Sequence, residues 1–222
     1  MQTNSNNEIQ GVLFDLDGTL ADTAPDLVAA LNDVLLENQL PTKPLEQLRF
    51  AASHGSLFLV KTALPDADET LQHTLQQQML TRYHQINGSH AKLFAGMDEL
   101  LDSLDAKQIP YGIVTNKHAR FTRPLMAALG LTQRCQTIIS GDTTKFPKPN
   151  CAPMLLAAQQ LGIDPEHILY IGDAERDLAA AQNANMIGGV ALWGYLNETD
   201  TPDEWPARYR FGSAQDYLAL FK

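Results

Sequence analysis

The chain has 222 residues, of which 44% are apolar and 19% charged, enough for one large domain or for a domain with a smaller insert. Its 16 Lys and Arg stand against 26 Asp and Glu, a formal charge of −10, and no basic cluster offers a footprint for nucleic acid. An anionic substrate would therefore have to be drawn by a local positive site or a metal, because the overall field repels it.

The first element expected is a strand at Gly11–Phe14, GVLF, a continuous apolar run of the kind that is covered on both faces. It ends on Asp15 and Asp17, in DLDGT. Two unpaired carboxylates beside a buried strand are costly, so they either cap a surface turn or do chemistry at the strand end. Residues 23–90 then contain helical patterns and no convincing strand. Thr23 and Asp26 look like a helix start, followed by an apolar face at Leu27, Ala30, Leu31, Val34 and Leu35. Further helices are expected over 44–52, 57–63 and 68–86. This helical block of roughly 70 residues is far longer than an ordinary crossover.

From residue 96 onward, helices and strands alternate. Helices are expected over 97–107, 119–129, 153–161 and 175–183, with Gly130 and Gly162 as stops. Strands are expected at YGIVT (111–115), TIIS (137–140), ILYIG (168–172), IGGVAL (187–192) and YRF (209–211). The pattern predicts an α/β fold, a doubly wound parallel sheet with a small all-helical domain inserted after the first strand. The expected division is a core of residues 1–22 and 91–222 and a helical insert of residues 23–90.

In such a sheet, ligands bind beyond the carboxyl ends of the strands. There the sequence places Asp15, Asp17 and Thr19 after the first strand, and Thr115, Asn116 and Lys117 after the second. Lys148 follows the third in KFPKPN, and Asp173 and Asp177 follow the fourth in GDAERDL. Clustered carboxylate oxygens suit Mg²⁺. A carboxylate can attack phosphorus to give an aspartyl phosphate, a neighbouring acid can protonate the leaving oxygen, and lysine and hydroxyl donors can hold phosphoryl oxygens.

Taken in order, DLDGT, the threonine of VTN, the later KP lysine and GDAERD resemble the four motifs of the haloacid-dehalogenase-like (HAD) phosphatases, over roughly residues 10–222. The resemblance implies a Rossmann-like core with a cap. It makes Asp15 the nucleophile and Asp17 the general acid and then the base for water. Thr115 would bind the phosphoryl group with Asn116 close by, and Lys148 would bridge Asp15 and phosphate. Mg²⁺ would be held by Asp15, the backbone carbonyl of Asp17, and Asp173. Asp177 and Thr19 would stand behind these groups. Within the family the chain looks like phosphoglycolate phosphatases and, through GIVTNKHARFTRPLM and GYLNETDTPDEW, like N-acetylmuramate 6-phosphate phosphatases. The cap segment RFAASHG lies where these relatives contact substrate, and His54 departs from the Gly-rich stretch often found there. Arg49, Ser53, His54 and Gly55 are the expected cap contacts, with Arg49 as carboxylate binder.

Other residues have plainer expectations. Asp22 and Asp26 read as helix-start residues, Arg176 as a surface ion-pair partner, and Lys117 as divided between a solvated face and a phosphate contact. His73 and His84 are three helical turns apart, about 16 Å, too far to share one metal. Trp205 is expected to cover core. Cys135 and Cys151 stand in no metal spacing, which fits a reduced, cytoplasmic protein. The polar start MQTNSNNEIQ gives no expectation of a signal peptide, and no apolar run approaches the roughly 20 residues of a membrane helix. The expected partner is a small phosphate ester, with no nucleic acid or membrane, for a monomer or homodimer. A phosphomutase, a receiver-like phosphorylated module and a carbon–halogen hydrolase stay open as alternatives on the same residues.

Overall fold

The computed structural model describes residues 9–221. Six parallel strands make the central sheet: β1 (Gly11–Phe14), β4 (Tyr111–Val114), β5 (Thr137–Ile139), β6 (Ile168–Gly172), β7 (Ile187–Ala191) and β8 (Tyr209–Phe211), in the order β5-β4-β1-β6-β7-β8. A second, two-stranded antiparallel ribbon joins β2 (Ala21–Asp22) to β3 (Lys92–Leu93). β1 is the central strand. It pairs Phe14 with Ile113 on one side and with Ile171 on the other. All four of its residues are buried, as are those of β4 and β6, which is why these runs are continuously apolar.

Helices cover both faces. α5 (Met97–Ala106) and α9 (Ala214–Leu218) pack on one side, where Val12, Phe14, Leu100, Leu104, Ile113 and Tyr217 share a core. α7 (Ala152–Leu161) and α8 (Glu175–Asn183) pack on the other, around Leu13, Val114, Met154, Tyr170 and Ala180. α6 (Ala119–Ala128) follows β4. Trp205 is buried against Leu178 and Val190, as expected.

Between β2 and β3 lies the helical insert: α1 (Ala24–Glu37), α2 (Leu45–Leu48), a 3₁₀ stretch (Arg49–His54), α3 (Ser56–Ala63) and α4 (Glu69–Ile86). It has its own apolar core of Leu31, Val34, Leu35, Leu59, Val60, Leu75 and Met79, each essentially inaccessible. Each fully buried side chain of this kind contributes about 1.5–3 kcal/mol. The insert therefore carries its own packing, and Phe121 of α6 and Tyr195, from the segment after β7, join its apolar cluster from the core side.

Several local readings change. The expected helix over 44–52 divides into α2 and the 3₁₀ stretch. Two elements carry no periodic signal because they are too short: the β2–β3 ribbon and α9. Thr23 makes no side-chain cap on α1; its hydroxyl donates to Asp17 instead. Asp26 is fully buried and accepts from the backbone N–H of Gly88, His90 and Ala91, so it ties the exit of the insert to α1.

Candidate active site

The carboxyl ends of β1, β4 and β6 meet at one point, and the residues that follow them form the site. Asp15 leaves β1 with its backbone N–H still bonded to Ile171 O, and its Oδ1 accepts from Leu16 N at 2.8 Å. Lys148 Nζ lies 2.9 Å from Asp15 Oδ1 and 2.8 Å from Asp177 Oδ1, and donates to Tyr170 Oη at 2.7 Å. All four side chains are buried. Lys148 is therefore a buried cation held by two carboxylates and a phenol that in turn donates to Val114 O. Ion pairs at such depth survive because every partner is in place.

Local backbone geometry explains how the chain delivers these groups. Gly18 sits at φ +82°, and a Cβ there would fall 2.2 Å from Asp173 Oδ2. Only glycine fits both the left-handed turn and the close approach. Asp177 performs two tasks at the start of α8: its Oδ2 accepts from Ala174 N while its Oδ1 faces Lys148. Asn116 clamps the lysine loop, accepting from Lys148 N and donating to Lys148 O. Its amide thus holds the backbone of that loop in place.

Asp15, Asp173 and Asp177 each offer an oxygen within 4.8 Å of the other two. Asp173 accepts from Thr19 Oγ1 at 3.0 Å and from Tyr195 N at 2.9 Å, and Ser53 Oγ lies 3.4 Å away. Burial first, then the charges of Asp177 and Asp15, push the Asp173 carboxyl up to about 7. Burial also raises Asp177, against the pull of Lys148. Burial and crowding raise Asp173 and Asp177 even with the Lys148 ammonium beside Asp177, and a hard divalent cation fits this oxygen-only cluster. The carboxylate of Asp17 is outside this cluster. Its Oδ1 accepts from Thr23 Oγ1 and from Lys117 Nζ at 2.8 Å. Lys117 is no solvated decoration: its side chain is 7% exposed, and its ammonium lies 4.8 Å from the centre of the Tyr83 ring.

A cavity of about 480 Å³ opens over these groups. Asp15, Asp17, Thr115, Asn116, Lys117 and Arg176 line its core side, and Ser53, His54, Gly55, Leu57, Leu80 and Tyr83 its insert side. Thr115 is buried there, its Oγ1 accepting from Lys117 N. Of the four insert contacts expected from sequence, Ser53, His54 and Gly55 line the cavity and Arg49 does not. Arg49 instead holds both oxygens of Asp22 at 2.7 Å. The reason is geometric: the 3₁₀ stretch turns residue 49 toward the ribbon and residues 53–55 toward the acids.

Sequence reasoning missed two residues. Arg176 was expected at the surface, yet its guanidinium lines the cavity and donates to Ser53 O at 2.8 Å. Tyr195 had no assigned role, yet its hydroxyl accepts from the N–H of Thr23 and Ala24 and donates to Asp22. The spacing of Arg176 between Asp173 and Asp177 was a usable signal for the first; nothing local signals the second.

Comparison with known proteins agrees with this geometry. The model of the haloacid dehalogenase-like hydrolase family matches residues 12–188. A phosphoglycolate phosphatase of Xanthomonas campestris pv. campestris is 40% identical over 198 residues, covering 89% of this chain and 90% of that protein. An N-acetylmuramic acid 6-phosphate phosphatase of Pseudomonas putida is 38% identical over 202 residues, covering 90% of each. A haloacid dehalogenase-like family hydrolase from Streptococcus pneumoniae shares the fold with a TM-score of 0.83 at 21% identity, over 97% of this chain and 99% of that one. No helix among the described residues is long and apolar enough to cross a membrane. The chain belongs to the haloacid dehalogenase-like hydrolase family, and within it is a phosphatase.

Proposed function

We propose that the protein hydrolyses a phosphorylated, carboxylate-bearing sugar of the N-acetylmuramate 6-phosphate class in preference to 2-phosphoglycolate. The cavity carries this reading. A space of about 480 Å³ belongs to the range that encloses a sugar-sized ligand, and a two-carbon ester would leave most of it to water. Its insert side offers Leu57, Leu80 and Tyr83 for the faces of a ring. Relatives of both activities are similar to this chain at nearly equal identity, so cavity size, not relatedness, favours the larger substrate.

The chemistry follows from the chain's own groups. Asp15 attacks phosphorus, forming a carboxyl–phosphate bond as the ester P–O bond breaks. Asp17 gives its proton to the departing alkoxide. It then takes a proton from water as the water attacks the aspartyl phosphate, which releases inorganic phosphate and restores both acids. Thr115 and Lys148 donate to the phosphoryl oxygens, where charge spreads in the transition state. Mg²⁺, held by Asp15, Asp173 and the main-chain carbonyl of Asp17, would supply further charge neutralisation at those oxygens. The insert, residues 23–90, acts as a cap on the core of residues 1–22 and 91–222, and the β2–β3 ribbon is its hinge. Closure excludes bulk water from the cavity.

The test is kcat/KM with Mg²⁺ for N-acetylmuramate 6-phosphate, 2-phosphoglycolate and glucose 6-phosphate. The first should exceed the other two. A 2-phosphoglycolate value equal to or above it would overturn the substrate choice.

A further inference from the structure

We propose that Arg176 is the specificity-determining residue that recognises the second anionic group of the substrate, a carboxylate, across the seam between cap and core. The proposal deepens the reading above and rests on it. Arg176 lies at the meeting point of two cavities, the large one over Asp15 and a second of about 240 Å³ lined also by Ser53, His54, Asp173 and Tyr195. Both cavities share Ser53, His54 and Arg176. A substrate whose phosphate sits on Asp15 thus has one arginine beside the part of it that faces the cap.

The other cations near the reacting centre are committed. Lys148 is enclosed by Asp15, Asp177 and Tyr170, and Lys117 by Asp17 with Tyr83. Arg49, the arginine on the cap loop itself, is bound to Asp22. Arg176, by contrast, makes one hydrogen bond among the described residues, to the carbonyl of Ser53. A guanidinium has five N–H donors in a planar fork, so four stay available for an acceptor in the cavity. The fork matches a carboxylate in two parallel hydrogen bonds, and the bond to Ser53 O holds its plane in place beforehand. Half-burial costs the guanidinium hydration, but the nearby charges of Asp177, Asp15 and Asp173 keep it protonated. In a protein of charge −10 this is the local positive group that an anionic tail requires.

A matched pair of substrates isolates the effect. N-acetylglucosamine 6-phosphate lacks the lactyl carboxylate of N-acetylmuramate 6-phosphate and otherwise presents the same phosphorylated amino sugar. The ratio of their kcat/KM values would be measured for the wild type, Arg176→Gln and Arg176→Lys, with p-nitrophenyl phosphate as a control for the phosphoryl chemistry. The wild-type ratio should favour the carboxylated sugar, and Arg176→Gln should lower that ratio roughly 10- to 100-fold, the worth of a hydrogen-bonded charge. Arg176→Lys should keep part of the ratio, because the charge remains and the fork is lost. If Arg176→Gln slows both sugars equally, the residue serves the acid cluster alone and the proposal fails. If Arg176→Gln leaves both sugars at their wild-type values, another group reads the carboxylate and the proposal fails while the substrate reading stands. A wild type that cleaves p-nitrophenyl phosphate and neither sugar overturns the substrate reading, and this proposal with it.

Discussion

The core and the cap meet at one cavity but are built on opposite principles. On the core side, charge is paired with charge: Lys148 with Asp15 and Asp177, Lys117 with Asp17. Each of these side chains is fixed by a partner at hydrogen-bond distance, and Lys148 and Asp177 have none of their surface in water. On the cap side, the groups that face the cavity are a run of small and polar residues, Ser53 to Ser56, and a wall of Leu57, Leu80 and Tyr83. The core is preorganised for one reaction on any phosphate ester. The cap supplies shape, and its charged residue on that loop, Arg49, faces elsewhere. The difference teaches that rate and specificity are separable here. Changes in the paired acids and lysines of the core should abolish turnover for all substrates, and changes in the cap or at Arg176, which faces it, should alter which substrate is preferred.

The sharpest test of the core is Asp15→Asn. An amide cannot attack phosphorus, so turnover should fall below detection while circular dichroism shows a folded protein. A chelator should do the same to the wild type, reversibly on addition of Mg²⁺. Enzymes exceed uncatalysed monoester hydrolysis by up to ~10²¹-fold, so even a small residual mechanism would be seen. Wild-type turnover in Asp15→Asn would remove the nucleophile from this residue.

Asp17→Asn should cost less, about 10²–10⁴-fold, the usual worth of acid–base assistance. With p-nitrophenyl phosphate the first step needs little proton donation, so phosphoenzyme should accumulate. Rapid-quench traces with both steps at wild-type rate would show that Asp17, though bonded to Lys117 and Thr23, has another task.

Tyr195→Phe tests the hinge where the two regions join. It leaves the N–H groups of Thr23 and Ala24 without their acceptor and Asp22 with Arg49 as its remaining side-chain donor. A buried loss of this kind costs about 1–3 kcal/mol, and each kcal/mol lowers Tm by about 2–4 °C in a chain of this size. KM should rise more than kcat falls, because the variant disturbs cap placement and leaves the acids paired. An unchanged Tm would mean that the hydroxyl does not brace the hinge.

The smallest effect belongs to Arg49→Ala. Its partner Asp22 is partly exposed, and pairs of this kind contribute about 0.2–1 kcal/mol. kcat/KM for the carboxylated sugar should stay within about fivefold of wild type. A loss as large as that of Asp17→Asn would erase the distinction between a reactive core and a shaping cap.

What the sequence determined by itself is what a short segment can encode. Continuous apolar runs gave the parallel strands, and their ends placed Asp15, Asp17, Thr115 and Asp173 at one edge of the sheet, because a parallel topology brings those ends together. The length of the strandless stretch gave the helical insert, since no crossover needs so many residues. Tertiary structure alone decided the choice of partners. The sequence reads Arg49 as a carboxylate binder and Arg176 as a surface ion-pair partner, and only packing sends the first to Asp22 and the second to a carbonyl 123 residues away. The same holds for Asp26, which looks like an ordinary helix-start acid until the exit of the insert folds back onto it. Tyr195 joins Asp22 across 173 residues, and no periodicity reports such a bond. Backbone conformation and burial follow from neighbours in the chain; which charge meets which depends on distant segments arriving at the same place, and a side chain several bonds long can reach more than one of them.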